Sequence, residues 1–86
     1  MAKIEIEKLL NDIYTEVKEA KEKYPTYNSA HEGYGLLLEE VDELKEEVFL
    51  KQDQRSIARM KKEAIQIAAV ALRIALEVCN EEVGRR

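Results

Sequence analysis

Two pairs of polar residues have the spacing expected of a cation site. Glu40 and Glu43 lie three positions apart, so on a helix they share one face. Glu63 begins a second stretch, which continues as the apolar run Ala64–Cys79, and Gln66 follows it at the same spacing. Carboxylates that face one another across a helix pair are suited to a hard cation such as Mg²⁺, which prefers oxygen ligands.

The position of the acidic residues on the first of these segments favours a cation over plain solvation. Glu40, Glu43 and Glu47 form a stripe that borders the apolar face, with no lysine interleaved at the next turn. Like charges at this spacing destabilise a helix, and a bound cation would offset that cost. Charged helical residues are commonly just solvated, so composition alone leaves a metal site and a solvated face as two open interpretations.

Three helices must position these residues. Hydrophobic periodicity predicts a first helix over about Ile4–Tyr24, which Pro25 ends. A second helix begins near Ser29, where the spacing to Glu32 has the form of a capping box. Its predicted apolar face consists of Tyr34, Leu37, Val41, Leu44 and Val48. The third helix is predicted from Ser56 to about Val83, ended by Gly84.

The third helix is apolar over most of its circumference. Between Ala64 and Cys79 the polar residues are Gln66, Arg73 and Glu77, which share one stripe. Two partner helices can hardly cover the remaining apolar surface in a chain of 86 residues. We therefore predict an all-α fold: a single domain over residues 1–86, a short bundle of about three helices completed by oligomerisation. Helix three would form the interface of a homodimer or homotetramer.

Composition excludes several classes of partner. The net charge of -4 and the absence of a basic patch argue against nucleic acid. The N-terminus does not resemble a signal peptide, and the apolar run is too short and too interrupted to span a membrane. A cytoplasmic protein without a membrane partner is expected. The lone cysteine, Cys79, is predicted to be a small buried hydrophobe.

The pattern Glu39-Glu40-x-x-Glu43, followed after a spacer by Glu63 and an alanine-rich helix, resembles the MazG-like nucleoside triphosphate pyrophosphohydrolases. That all-α superfamily carries EExxE followed by ExxD, and the likeness extends over roughly residues 29–80, closest to a short MazG-like subgroup. The resemblance implies a hydrolase that converts a nucleoside triphosphate to the monophosphate and pyrophosphate, with Mg²⁺ or Mn²⁺ as cofactor.

The resemblance also assigns roles to individual residues. Glu40, Glu43 and Glu63 match metal-ligating positions, and Glu39 matches the leading glutamate, which binds a second ion or orients the attacking water. Glu39 and Glu40 are thus the catalytic candidates. Gln66 stands where the family has an aspartate. An amide carbonyl can ligate a hard cation but contributes no charge and cannot act as a base.

Three further residues are candidates for substrate binding, each with a plainer alternative. Arg73 could reach a phosphate or pair with Glu77 one turn on. Lys62 could meet a phosphate or be solvated, and His31 could contact the nucleotide or serve at the helix start. For the whole chain, the alternative to an enzyme is a catalytically weakened MazG-like oligomer that acts as a nucleotide-binding or assembly module.

Overall fold

The computed structural model describes residues 3–79, which form three α-helices and one short 3-10 turn. Helix α1 spans Lys3–Lys23, α2 spans Ala30–Val48 and α3 spans Ile57–Glu77, with the 3-10 turn at Gln52–Gln54 between α2 and α3. The predicted all-α bundle is confirmed. None of these helices combines the length and hydropathy that a bilayer-spanning segment needs, within the residues described.

Helix α1 is amphipathic and packs on α3. Hydrophobic periodicity predicts an apolar stripe on this helix; of its members Val17 is buried and Leu9 and Ile13 are half-buried, whereas Ile6 and Leu10 are exposed. The helix ends at Lys23, two residues before Pro25, because a proline disfavours helical geometry at the residue before it.

Helix α2 begins with the predicted serine cap. The Glu32 backbone N–H donates to Ser29 Oγ at 3.1 Å, which satisfies one of the free N–H groups of the first turn. The reciprocal bond differs from a standard capping box: the Glu32 carboxylate accepts the N–H of Asn28 at 2.7 Å instead of that of Ser29. The cap therefore ties down one more residue of the connector than the sequence predicted.

The face that α2 turns to α3 is set by Gly33, and it differs from the predicted apolar face. Gly33 is buried, and a Cβ there would stand 2.9 Å from Ile74 Cγ1 and 3.1 Å from Tyr27 Cδ2. Because the two helices approach so closely here, the packed side of α2 is rotated toward the acidic stripe. Of the predicted apolar face, Leu37 and Leu44 are half-buried, whereas Tyr34, Val41 and Val48 are exposed.

Helix α3 is shorter than predicted. It ends at Glu77, with Val78 as its C-cap, so the predicted continuation toward Val83 is wrong at Val78 and Cys79. Cys79 is exposed, contrary to the prediction that it is buried. Gly84, the predicted helix stop, lies outside the described residues.

Helix α3 forms the centre of the molecule. Both α1 and α2 pack against α3, while no Cα atom of α1 lies within 8 Å of one in α2. The two outer helices therefore flank a cleft whose floor is α3. Few apolar side chains are buried in residues 3–79, namely Val17, Tyr27 and Ala69. The polar stripe of α3 faces this cleft, which brings the candidate functional residues together.

Candidate metal centre

Three carboxylates from two helices converge in the cleft. Glu40 and Glu43 come from α2 and Glu63 from α3, and one oxygen of each lies within 4.8 Å of the others. The two helices run antiparallel, since Glu47 near the end of α2 pairs with Arg59 near the start of α3 at 2.8 Å. The three-residue spacing of Glu40 and Glu43 therefore places both opposite Glu63, as the sequence predicted.

Two oxygens in this cluster are shut off from solvent and lack a hydrogen-bond partner. They are Oε2 of Glu40 and Oε2 of Glu63. A buried carboxylate oxygen without a donor or a cation is costly, because nothing replaces the water it has lost. Both oxygens belong to glutamates of the cluster, so the side chains that converge also carry the buried oxygens without a partner.

The electrostatics of the cluster favour protonation when no cation is bound. Burial, followed by the charges of Glu43 and Glu63, raises the pKa of Glu40. Burial also raises the pKa of Glu63, and the close approach of the Glu43 carboxylate adds to the effect, while the ammonium of Lys62 partly opposes it. The site therefore holds protons more tightly than isolated glutamates do.

These residues fit a hard divalent cation. All three ligands are carboxylate oxygens, which Mg²⁺ and Mn²⁺ accept, and two of the oxygens have no other partner. A dication at this point would satisfy the orphaned oxygens and remove the mutual repulsion that raises the pKa of Glu40. The fit rests on donor chemistry and burial, independently of the sequence resemblance.

Gln66, the residue in place of the expected aspartate, is hydrogen-bonded to α1. Its Nε2 donates to Oε2 of Glu16 at 3.0 Å. Glu16 was not singled out from the sequence, and its charge also contributes to the raised pKa of Glu40. Nothing in the local pattern could have identified it, because helix one carries several glutamates and the partner lies 50 residues away.

Arg73 forms the ion pair that was the alternative to a phosphate contact. Its Nε donates to Oε2 of Glu77 at 2.7 Å, and its Nη2 donates to the Pro25 carbonyl at 3.1 Å. The guanidinium also stacks 4.2 Å from the centroid of the Tyr27 ring. Arg73 is 5% exposed and Glu77 6%, so the pair is a buried anchor for the connector between α1 and α2.

The remaining sequence candidates stand around the three carboxylates. Glu39 is exposed on α2 and is outside the group of converging oxygens, although its charge is felt by Glu40. Lys62 is exposed next to Glu63, and His31 is exposed in the first turn of α2. Their proposed roles in catalysis and substrate binding stay predictions.

A cavity of about 390 Å³ adjoins Glu40 and extends to the connector between α1 and α2. Helix α1, the connector, α2 and α3 all contribute to its wall: Ala20, Tyr24, Pro25, Tyr27, Glu32, Leu36, Glu40, Gln66, Val70 and Arg73. A second cavity of about 370 Å³ lies on the far side of Glu16 and is lined in part by Lys61 and Lys62. Of the three carboxylates, Glu40 thus borders the first cavity, while Glu16 borders the second, which has two cationic side chains.

The chain matches no protein-family model, no curated protein and no solved structure. The functional assignment therefore rests on the geometry of the cleft and on the residue pattern that led to it.

Proposed function

We propose that this protein is a Mg²⁺-dependent nucleoside triphosphate pyrophosphohydrolase of the MazG-like class. The observation that carries the proposal is the convergence of Glu40, Glu43 and Glu63. Two of these carboxylates, Glu40 and Glu63, each have a solvent-excluded oxygen without a hydrogen-bond partner. An acidic cluster without a cation would repel a triphosphate, so catalysis should depend strictly on a divalent metal. The adjoining 390 Å³ cavity is large enough for the nucleoside part of a substrate.

The reaction is hydrolysis of the anhydride bond between the α- and β-phosphates. Water attacks the α-phosphorus, the bond to the bridging oxygen breaks, and the products are a nucleoside monophosphate and pyrophosphate. Glu39, with Glu40 beside it, orients the water and accepts its proton. When bound, Mg²⁺ or Mn²⁺ would neutralise the charge of the phosphate oxygens. Lys62, whose charge acts on Glu63, would meet the departing phosphates in this proposal.

Two other substrate contacts follow from the resemblance and the cavity. His31 stands at the start of α2, where an exposed imidazole is free to contact the nucleotide. Arg73 lines the cavity, but its donors are engaged by Glu77 and Pro25. In this proposal Arg73 therefore shapes the pocket, and any phosphate contact would require it to exchange a partner.

The direct test measures pyrophosphate release from a panel of ribo- and deoxyribonucleoside triphosphates, with Mg²⁺, with Mn²⁺ and with EDTA. We expect metal-dependent release with at least one substrate and its loss in Glu63→Gln, which keeps the side-chain volume. Glu46→Gln, an exposed change on the outer face of α2, is the matched control. Failure to release pyrophosphate with any substrate and either metal would overturn the proposal.

Self-association is a second proposal, supported by the surface of α3 that faces away from the cleft. Ala71, Leu72, Ala75 and Leu76 are exposed on this side, with Leu72 at 40% and Leu76 at 42%. This uncharged stripe is the surface that a homodimer or homotetramer would bury. It supports the alternative function equally, a weakened enzyme that serves as a nucleotide-binding or assembly module.

A nucleotide that cannot be hydrolysed separates the two functions. Both predict that an analogue with a methylene bridge between the α- and β-phosphates raises the melting temperature in the presence of Mg²⁺. The enzyme additionally releases pyrophosphate from the natural nucleotide, whereas the binding module does not. Binding without turnover would therefore favour the module.

A further inference from the structure

Helix α1 contributes a carboxylate to the edge of the proposed cation site. Oε2 of Glu16 accepts a hydrogen bond from Nε2 of Gln66 at 3.0 Å, and the pair is partly buried. Gln66 lies one turn after Glu63 on the same face of α3, and it lines the same cavity as Glu40. The bond therefore connects α1 to Gln66, the residue that replaces the expected aspartate.

The chemistry of the two groups fixes the orientation of the amide. An ionised carboxylate can only accept hydrogen bonds, so the NH₂ group of Gln66 must be the end that faces Glu16. The carbonyl oxygen Oε1 is then the end left for the cavity shared with Glu40. Without Glu16, nothing would stop the amide from flipping by 180° and turning its NH₂ group toward a cation. The positive charge of the cation would repel the partial positive charge of that NH₂ group.

Glu16 forms no ion pair shorter than 4.0 Å within residues 3–79, although Lys61 and Lys62 line the same cavity as Glu16. Within residues 3–79 the ion pairs shorter than 4.0 Å are Arg59–Glu47 and Arg73–Glu77, and neither involves Glu16. The carboxylate lies 3.0 Å from the Gln66 amide, and Gln66 lines the same cavity as Glu40. Glu16 and Gln66 together thus offer an oriented oxygen and a nearby negative charge, which a single aspartate would otherwise supply.

We propose that Glu16 is a positioning residue for the cation site, holding the Gln66 amide so that Oε1 faces the site and restoring the charge that glutamine lacks. This inference rests on the proposed cation site of the function above. It assigns the site a contribution from all three helices. It also explains how the chain retains a cation site with glutamine at this position.

The test measures Mn²⁺ binding by titration calorimetry on the full-length chain, without nucleotide. Removing a residue that orients a metal ligand typically weakens affinity by about 10- to 100-fold, and we expect a loss in this range for Glu16→Gln. Glu22→Gln, an exposed change on α1 that removes the same charge farther from the site, should leave affinity within about twofold. Equal affinities for the two variants would overturn the proposal.

A second pair of variants, made in the Gln66→Glu chain, separates positioning of the amide from a general loss of structure. In Gln66→Glu the side chain has two acceptor oxygens, so its orientation no longer depends on Glu16 and the two carboxylates repel each other. Adding Glu16→Gln to Gln66→Glu should therefore keep or raise Mn²⁺ affinity, whereas it lowers affinity in the natural chain. The same loss in both backgrounds would show that Glu16 does not act through the Gln66 amide and would overturn the proposal.

Folding is checked by the metal-free melting temperature of each variant. If Glu16→Gln does not fold, Glu16→Asp replaces it, since the shorter side chain draws the carboxylate away from Gln66 while keeping the charge on α1. The binding measurement does not depend on turnover. If the chain binds Mn²⁺ through Glu16 and Gln66 but releases no pyrophosphate, the proposed enzymatic function is overturned and the positioning role is supported. Absence of Mn²⁺ binding by the natural chain would overturn the positioning role.

Discussion

Tyr27 donates its backbone N–H to Oε1 of Glu77 at 2.9 Å, across 50 residues of sequence. The same carboxylate binds the guanidinium of Arg73, which in turn donates to the carbonyl of Pro25. One end of α3 is thus bonded to the connector that joins the two outer helices. The connector forms a wall of the 390 Å³ cavity, so this buried pair sets the shape of the cleft at that end.

We predict that Glu77→Gln destabilises the protein by about 3 kcal/mol or more, because it leaves the buried Arg73 charge uncompensated. Urea unfolding followed by circular dichroism measures the change. The double variant Arg73→Met with Glu77→Gln removes that charge while leaving an acceptor for the Tyr27 N–H. It should be less destabilised than Glu77→Gln alone, and an additive loss would contradict the assignment.

The effect of Glu77→Gln should also depend on pH. Burial raises the pKa of Glu77, but the hydrogen bonds from Arg73 and from the Tyr27 N–H outweigh it, and the net pKa lies below its usual value of 4.5. A lowered pKa in the folded state contributes stability above the unfolded pKa, and this contribution is lost as pH falls through the folded value. The difference in unfolding free energy between the natural chain and Glu77→Gln should therefore be largest at pH 7 and shrink below about pH 4.5.

Gly33 and Gly35 should respond in opposite ways to alanine. At Gly33 the added methyl group would overlap Ile74 and Tyr27, and overpacking of this kind typically costs about 1–3 kcal/mol. At Gly35 a Cβ would meet nothing within 4 Å, so the better helix propensity of alanine should stabilise by roughly 0.5–1 kcal/mol. Thermal unfolding of both variants provides the measurement, and equal shifts would argue against close packing at Gly33.

Local patterns were sufficient to predict the helices and the acidic cluster. The start of α2 followed from Ser29 and Glu32, and the end of α1 from Pro25. The meeting of Glu43 with Glu63 followed from three-residue spacing on two neighbouring helices. Each of these inferences depends on residues that are close in sequence or on one regular repeat.

Features that depend on packing between distant segments could not be predicted. Periodicity placed Tyr34 on the buried face of α2, but the close approach at Gly33 rotates the helix and leaves Tyr34 exposed. No local pattern distinguishes Glu16 from the other glutamates of α1, because its partner Gln66 lies 50 residues away. The burial of Arg73 likewise depends on a connector whose path is not encoded in any periodic pattern.

The exposed stripe on α3 predicts that the oligomer can be broken by charge. Leu72→Glu combined with Leu76→Glu places two carboxylates in an interface that would otherwise be apolar, and burying unpaired charges is strongly unfavourable. We expect a multimer for the natural chain and a folded monomer for the double variant at micromolar concentration, measured by light scattering coupled to gel filtration. Leu38→Glu, an equivalent change at an exposed position on α2, is the control. A monomeric natural chain would contradict the prediction.

The cation site makes stability depend jointly on pH and divalent metal. The pKa values of Glu40 and Glu63 are raised, chiefly by burial, so the stability they contribute without metal is present below about pH 4.5 and is lost as pH rises through their folded values. Mg²⁺ binds the ionised form, and at 100 times its dissociation constant a ligand stabilises by about 2.7 kcal/mol. The rise in melting temperature caused by Mg²⁺ should therefore be small at pH 4 and grow toward pH 7.

Glu40→Gln should lose most of this response, while in EDTA at pH 7 it should melt no lower than the natural chain, because one buried charge is gone. A Mg²⁺ effect that is independent of pH, or a Glu40→Gln variant that melts lower in EDTA, would contradict a cation site built from these carboxylates.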